Sequence, residues 1–193
     1  MLPRRPPRLT TARVRVPLRA DGGLRLGLVA DTHSKPHEGG LAHLASKEPD
    51  VLLHGGDIGD LSVLDRLAAI APVHAVRGNI DVRAKELPDV LEVTLTEAER
   101  PAFTLLLTHI AVAGPRIRAD AAKRARAAGA KLIICGHSHV PFFTEERGLT
   151  LFNPGSLGPR RFQLPILFGV MEVTRAGVSL AHVDAETGKP WLP

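Results

Sequence analysis

Five times along this chain a short apolar run is followed at once by a side chain able to ligate a metal ion. Leu24–Ala30 leads into Asp31-Thr32-His33, Val51–His54 into Gly55-Gly56-Asp57, and Val73–Val76 into Arg77-Gly78-Asn79. Phe103–Thr108 leads into His109, and Leu132–Cys135 into Gly136-His137-Ser138-His139. Each run has the length and composition of a buried strand. Separations of roughly 20 to 30 residues between successive strand ends leave one crossover unit each. Strands joined that way lie parallel, with their carboxyl ends on one edge of a sheet, where open α/β sheets hold ligands. That edge can therefore receive seven ligand-type side chains.

The first half reads strand–loop–helix in succession. Glu38–Ser46 and Leu61–Ala71 are the helical segments, the second with Leu61, Leu64, Leu67 and Ala68 on one face. The pattern predicts βαβ units and a largely parallel sheet. The second half changes character. Val90–Leu95 and Phe103–Thr108 form a strand pair across a charged turn, and Arg116–Ala128 reads as an Ala/Arg-rich helix closed by Gly129. Pro141–Glu145 and Leu149–Phe152 read as a hairpin turning at Arg147-Gly148, and Ile166–Val173 and Val178–Asp184 as a final pair around Arg175–Gly177. Antiparallel strands are thus added to the parallel set within one domain.

At 193 residues and 44% apolar composition, the chain suffices for one domain with a sizeable core. One cysteine excludes an intramolecular disulfide and fits a reducing, cytoplasmic location. No segment approaches the roughly 20 apolar residues of a membrane-spanning helix, so no membrane partner is expected. The net charge of +5 suggests nucleic acid, but it is unevenly placed. Residues 1–20 hold six arginines (Arg4, Arg5, Arg8, Arg13, Arg15 and Arg19) and no acid, so the body is close to neutral. Pro3, Pro6, Pro7 and Pro17, with no apolar segment behind the charges, argue against a targeting peptide. Residues 1–23 are therefore set apart as a basic Pro/Arg-rich N-terminal extension, flexible or the product of an early start codon, and residues 24–193 as the folded domain. Polyanion binding through the leader is the lesser reading.

The ligand types select among ions. Carboxylate, carboxamide oxygen and imidazole suit divalent cations such as Mn²⁺, Fe²⁺, Ni²⁺ or Zn²⁺, and without thiolates a closed structural zinc site is disfavoured. In an extended segment, side chains at i and i+2 point the same way, so His137 and His139 are expected to converge on one point beyond their strand. Cys135 lies in an apolar strand with no activating base and reads as a small core residue. Asp60 and Asp81 read as caps or turn formers, His37, His43, His74 and His182 as structural or solvated, and His54 as a candidate to orient a ligand. Arg160 and Arg161 are either solvated charge or a bidentate clamp on phosphate.

Taken in order, Asp31-x-His33, Gly56-Asp57, Gly78-Asn79, His109 and Gly136-His137-x-His139 resemble the calcineurin-like metallophosphoesterases, above all their small bacterial and archaeal phosphodiesterases. The likeness runs from about Leu24 to Asp184, and Asn153-Pro154-Gly155-Ser156 is similar to a further element of that subgroup. It implies a four-layer α/β/β/α sandwich of two mixed β-sheets flanked by helices. It also implies two divalent metal ions per chain, manganese first, with nickel, iron or zinc as alternatives. Asp57 would bridge the pair, Asp31, His33 and His139 would complete one site, and Asn79, His109 and His137 the other. A hydroxide bridging ions about 3.5–4 Å apart would attack phosphorus in line with the leaving oxygen, with Asp57, Asn79 and His109 as the catalytic group. The implied activity is hydrolysis of a small phosphodiester or a monoester.

Two positions depart from the family pattern. Ile80 stands where larger enzymes carry a histidine that can protonate the leaving group, an aid typically worth about 10²–10⁴-fold. Ile110 follows His109 where most relatives have glycine, and a β-branched residue resists positive φ. A related retromer subunit uses the same fold for protein binding, so a non-catalytic protein-binding module is the alternative. The full set of seven ligand types favours the enzyme.

Overall fold

The computed structural model describes residues 9–192; Arg4, Arg5 and Arg8 of the leader lie outside the described residues. The chain runs β1 (Thr11–Pro17), β2 (Leu24–Val29), α1 (Glu38–Ala45), β3 (Val51–His54), α2 (Ser62–Ala68), β4 (Val73–Ala75), β5 (Val90–Glu97) and β6 (Arg100–Thr108). It continues through the short strands β7 (Val112–Ala113) and β8 (Arg116–Ile117), then α3 (Ala119–Ala127), β9 (Leu132–Ile134), β10 (Phe142–Glu146) and β11 (Leu149–Asn153). β12 (Leu167–Thr174), β13 (Gly177–Asp184) and β14 (Pro190–Trp191) finish it. One six-stranded sheet has the order β14-β13-β12-β2-β3-β4, the other β1-β5-β6-β9-β11-β10, and β7 pairs with β8 apart from both.

Side-chain alternation along the strands builds the layers. In β3, Val51 and Leu53 face the opposite sheet and Leu52 faces outward; in β6, Leu105 and Leu107 face inward and Leu106 outward. The inward set, with Leu26, Leu28, Val93, Ile134, Phe152 and Met171, makes one core shared by both sheets. Outward, Leu52, Phe168 and Val170 are covered by Leu41 and Leu44 of α1 and by Val63 and Leu67 of α2. On the other side Leu106, Ile133 and Leu151 pack against Ala121 and Ala125 of α3. The result is the α/β/β/α sandwich of two mixed sheets. Contact with α1 is close because residue 27 lacks a side chain: a Cβ there would stand 2.5 Å from Leu52 and 2.8 Å from Leu44. None of the described helices is long and apolar enough to cross a membrane.

Within one sheet β2, β3 and β4 are parallel, and within the other β6 and β9 are parallel. Their carboxyl ends therefore open on common edges, where the ligand-type residues lie.

Two expectations need correction. The extension drawn over residues 1–23 is not one from Thr11 onward, because β1 pairs in parallel with β5 from Thr11↔Val90 to Pro17↔Thr96 and forms a sheet edge. Val16 is buried in the shared core, Ala12 and Val14 pack against it, and Arg13 and Arg15 alternate outward. The helix expected from Arg116 begins at Ala119, since Arg116 and Ile117 pair with Ala113 and Val112. Gly129 follows it with φ of +69°, the conformation that ends helices.

Candidate metal centre

The carboxyl ends of five strands deliver the seven side chains to one place: Asp31 and His33 after β2, Asp57 after β3, Asn79 after β4, His109 after β6, His137 and His139 after β9. Two groups form. Asp31, His33 and His139 offer ligand atoms within 4.8 Å of one another, and so do Asp57, His109 and His137. Asn79 joins the second group, its Oδ1 lying 3.0 Å from both His109 Nε2 and His137 Nδ1. In the first group His33 Nε2 and His139 Nε2 are 3.2 Å apart, and Asp31 Oδ1 is 3.7 Å from His139 Nε2. Asp57 faces both groups, with Oδ1 3.2 Å from His109 Nε2 and Oδ2 3.7 Å from His33 Nε2.

Strained loops aim these groups. Asp31, His33, Asp57, His137 and His139 all have φ between 44° and 73°. For a residue other than glycine this costs roughly 1–3 kcal/mol, and such strain gathers at functional sites. It also corrects the expectation that His137 and His139 project together from an extended segment. The backbone turns at each, with φ of 73° and 59°, and the two imidazoles enter different groups. Glycine next to a ligand lets the loops touch. A Cβ on Gly78 would lie 2.1 Å from Asp57 Oδ1, and one on Gly56 would lie 2.8 Å from His109 Nδ1.

Polar groups behind the ligands hold the loops. The buried Asp81 carboxylate accepts from Gly78 N at 2.7 Å, Ile58 N at 3.1 Å and Gly59 N at 2.9 Å. It thereby ties the Asp57 loop to the Asn79 loop, a larger role than the local turn expected of it. The sequence signal was only its closeness to Asn79, since two of its donors belong to a different loop. His54 is fully buried, and its Nδ1 accepts from Gly56 N at 3.1 Å. Its Nε2–H is thus directed at Thr32 Oγ1, 3.0 Å away, which donates to the Ile58 carbonyl at 3.0 Å. His54 therefore braces the neighbours of Asp31 and Asp57 rather than a ligand itself, and burial pushes its pKa down to about 4.

His109 Nδ1–H donates to the Gly55 carbonyl at 2.8 Å, which leaves the Nε2 lone pair for the centre. Asn153 donates to the Gly136 carbonyl at 2.8 Å and Ser156 Oγ to the Asp31 carbonyl at 2.8 Å, so the Asn153–Ser156 turn holds two ligand loops. Other groups serve the fold: His37 Nδ1 caps α1 by accepting from Gly40 N, and the ring of His182 stacks on Phe152. Cys135 is fully buried, which pushes its thiol up and keeps it protonated.

The electrostatics suit a cation. Burial raises Asp31 to about 7. Burial also lowers His33, His137 and His139, the last to about 4 with Arg161 adding to it. For Asp57 burial acts upward, but the hydrogen bond and charge of His109 outweigh it and bring the carboxyl to about 2. His109, despite its own burial, is raised by the same pairing. Asp57 Oδ1 and Asn79 Oδ1 both face His109 Nε2, at 3.2 and 3.0 Å, an opposition of acceptors that a divalent ion relieves. A cation beside Asp31 would likewise keep that carboxylate ionised. His139 Nδ1, on the ring whose Nε2 faces His33, is the one buried side-chain polar atom without a partner among the described residues. Oxygen and imidazole donors without a thiolate fit a hard or borderline divalent ion.

Of the two candidate arginines, Arg161 stands at the cleft, its Nη2 3.3 Å from His33 Nε2. Arg160 is engaged elsewhere, by Glu186 and by the Leu164 carbonyl. Ile80 and the highly exposed Phe162 also line the cleft.

Residues 24–176 match the family model of the calcineurin-like phosphoesterase superfamily domain. The chain is 30% identical over 169 residues to a probable metallophosphoesterase of Methanothermobacter thermautotrophicus, covering 86% of this chain and 94% of that one. Wild-type Vps29 of Entamoeba histolytica complexed with zinc shares the fold, with a TM-score of 0.61 at 21% identity over 84% of this chain and 99% of that one. So does an archaeal phosphodiesterase, with a TM-score of 0.62 at 18% identity over 83% of this chain and 100% of that one. The family match takes in every side chain of both ligand groups. The chain belongs to the calcineurin-like phosphoesterase superfamily.

Proposed function

We propose that the protein is a cytoplasmic phosphodiesterase dependent on two divalent ions, manganese first among them. Asp31, His33 and His139 would hold one ion, Asn79, His109 and His137 the other, and Asp57 both. The observation that carries this reading is the position of Asp57, whose carboxylate oxygens face His33 at 3.7 Å and His109 at 3.2 Å. A carboxylate shared between two ligand groups is the natural way to keep two like charges close.

When bound, the ions would supply an ionised water at neutral pH and offset charge on the phosphoryl oxygens. The chain's own residues do the rest. Gly55 fixes the tautomer of His109, and Asp81 fixes the loops that present Asp57 and Asn79. Arg161 offers forked donors to a phosphoryl oxygen beside His33. Ile80 has no proton to give a departing oxygen, which favours good leaving groups such as aryl oxides. With only one of the paired arginines at the cleft, the singly charged diester suits it better than the doubly charged monoester. The reading also has the support of an archaeal phosphodiesterase of the same fold. The single, buried cysteine fits a reducing cytoplasm.

The test strips the protein with chelator, reloads it with Mn²⁺, Ni²⁺, Fe²⁺ or Zn²⁺, and offers bis(4-nitrophenyl) phosphate and 4-nitrophenyl phosphate. Metal-dependent release from the diester, abolished by Asp57→Asn, is expected. Activity that survives chelation refutes the mechanism. Failure to hydrolyse either ester with any ion favours the protein-binding alternative.

A further inference from the structure

A second hollow, of about 340 Å³, shares His137 and Ser138 with the metal cleft as a common wall. That is roughly twice the ~150 Å³ of a cavity able to hold benzene. Its other side chains are apolar, with Ile110, Val112, Val140 and Phe142 around it. Ser138 Oγ is already committed, accepting from Val140 N at 3.2 Å and from Asn153 Nδ2 at 3.0 Å. His137 directs its Nδ1 at Asn79. Ile110 and Val140 are 39% and 42% exposed, so large apolar side chains stand open to solvent at the rim of a charged centre. Apolar surface gathered in one place marks a binding site more often than scattered apolar residues do.

We propose that this hollow is the subsite for the retained ester group of the substrate, and that this group is an aryl or alkyl group rather than a sugar or nucleobase. The inference rests on the phosphodiesterase reading above. In hydrolysis of a diester, a bond forms from the water oxygen to phosphorus, the bond from phosphorus to the leaving oxygen breaks, and the product is a monoester that keeps the other group. The leaving oxygen departs along the line of attack, whereas the retained ester oxygen lies sideways in the equatorial plane. The hollow lies beside the metal cleft with His137 and Ser138 as the shared wall, and the sideways group is assigned to it on that adjacency. A sugar hydroxyl or base edge placed there would surrender its water for at most one side-chain partner, the His137 ring. An aromatic ring gains from burial against Ile110, Val140 and Phe142. A monoester substrate has no second ester group to leave in the hollow while the first departs, which adds a second reason for diester preference; the monoester product keeps that group and can still occupy the hollow.

Bis(4-nitrophenyl) phosphate and methyl 4-nitrophenyl phosphate share a leaving group and differ in the retained one. The manganese-loaded protein is expected to favour the bis-aryl ester in kcat/KM, chiefly through KM. Ile110→Ala and Val140→Ala should each reduce that preference about tenfold, with metal content unchanged. A binding readout stands beside the kinetics: the methyl resonances of Ile110, Val112 and Val140 should shift on titration with phenyl phosphate and not with methyl phosphate. An undiminished preference in both variants, or methyl groups that ignore phenyl phosphate, overturns the subsite even where both diesters are hydrolysed. If neither diester is hydrolysed with any ion, the phosphodiesterase reading falls, and the titration alone decides whether the hollow takes apolar phosphoesters.

Discussion

The N–H of Gly78 donates to the carboxylate of Asp81 at 2.7 Å, and the same carboxylate reaches Ile58 and Gly59 on the neighbouring loop. No ligand side chain touches Asp81 through these bonds, yet two ligand loops depend on it. Asp81→Ala should therefore weaken metal binding by about 10–100-fold, the usual penalty for losing a group that orients a ligand. Competition against a chromogenic chelator, at a temperature well below the unfolding midpoint, measures it. Wild-type affinity in the variant would reduce Asp81 to a turn former.

The split between His137 and His139 predicts occupancy. His137→Ala and His139→Ala should each lose about one equivalent of metal relative to the wild type, from different halves of the centre. Elemental analysis of the three proteins decides it. Equal metal in all three would contradict the assignment of the imidazoles to separate groups.

His54 predicts a response to acid. Its folded pKa of about 4 lies below the ordinary value of about 6.5, so the native protein binds fewer protons than the unfolded chain between those values. The contribution is complete above about pH 6.5 and is lost as pH falls from there through about 4. The loss is on the order of 3 kcal/mol for a fully buried ring. Urea unfolding in chelator at several values across that window should show the decline, and His54→Gln should flatten it. Parallel slopes in the two proteins would mean that His54 is not held neutral.

Arg161 is expected to act on substrate and not on metal. Arg161→Ala should lower kcat/KM for an aryl diester by about 10–100-fold, mainly through KM, as loss of a hydrogen bond to a charged group implies. Metal content should stay at the wild-type level. Arg160→Ala, which breaks the pairing with Glu186, should leave the kinetics within about twofold.

Much of this arrangement is legible in the sequence. Five of the six buried runs from Leu24 to Cys135, all but Val90–Leu95, end in residue types that have no reason to recur at strand ends unless the ends meet. What the chain hid, it hid for physical reasons. β1 was obscured by arginine and proline, although Ala12, Val14 and Val16 already alternate with charge at period two. The directions of His137 and His139 depend on positive φ at both residues, and strain of that kind leaves no pattern in residue types. The reach of Asp81 depends on backbone donors 22 and 23 positions away, which only the folded loops bring near. Arg160 and Arg161 are adjacent and chemically alike, and partners distant in sequence, Glu186 for one and His33 for the other, separate their fates.

β1 also bears on how copies of the protein treat one another. An open sheet edge invites a neighbouring chain to add its own strand, the first step toward aggregation. Along β1, an edge among the described residues, Arg13 and Arg15 point outward, Arg13 paired with Glu92 at 2.6 Å, so molecules meeting through this edge would bring the Arg15 charges together. Charge at period two along an edge strand thus works against strand addition between copies of the protein.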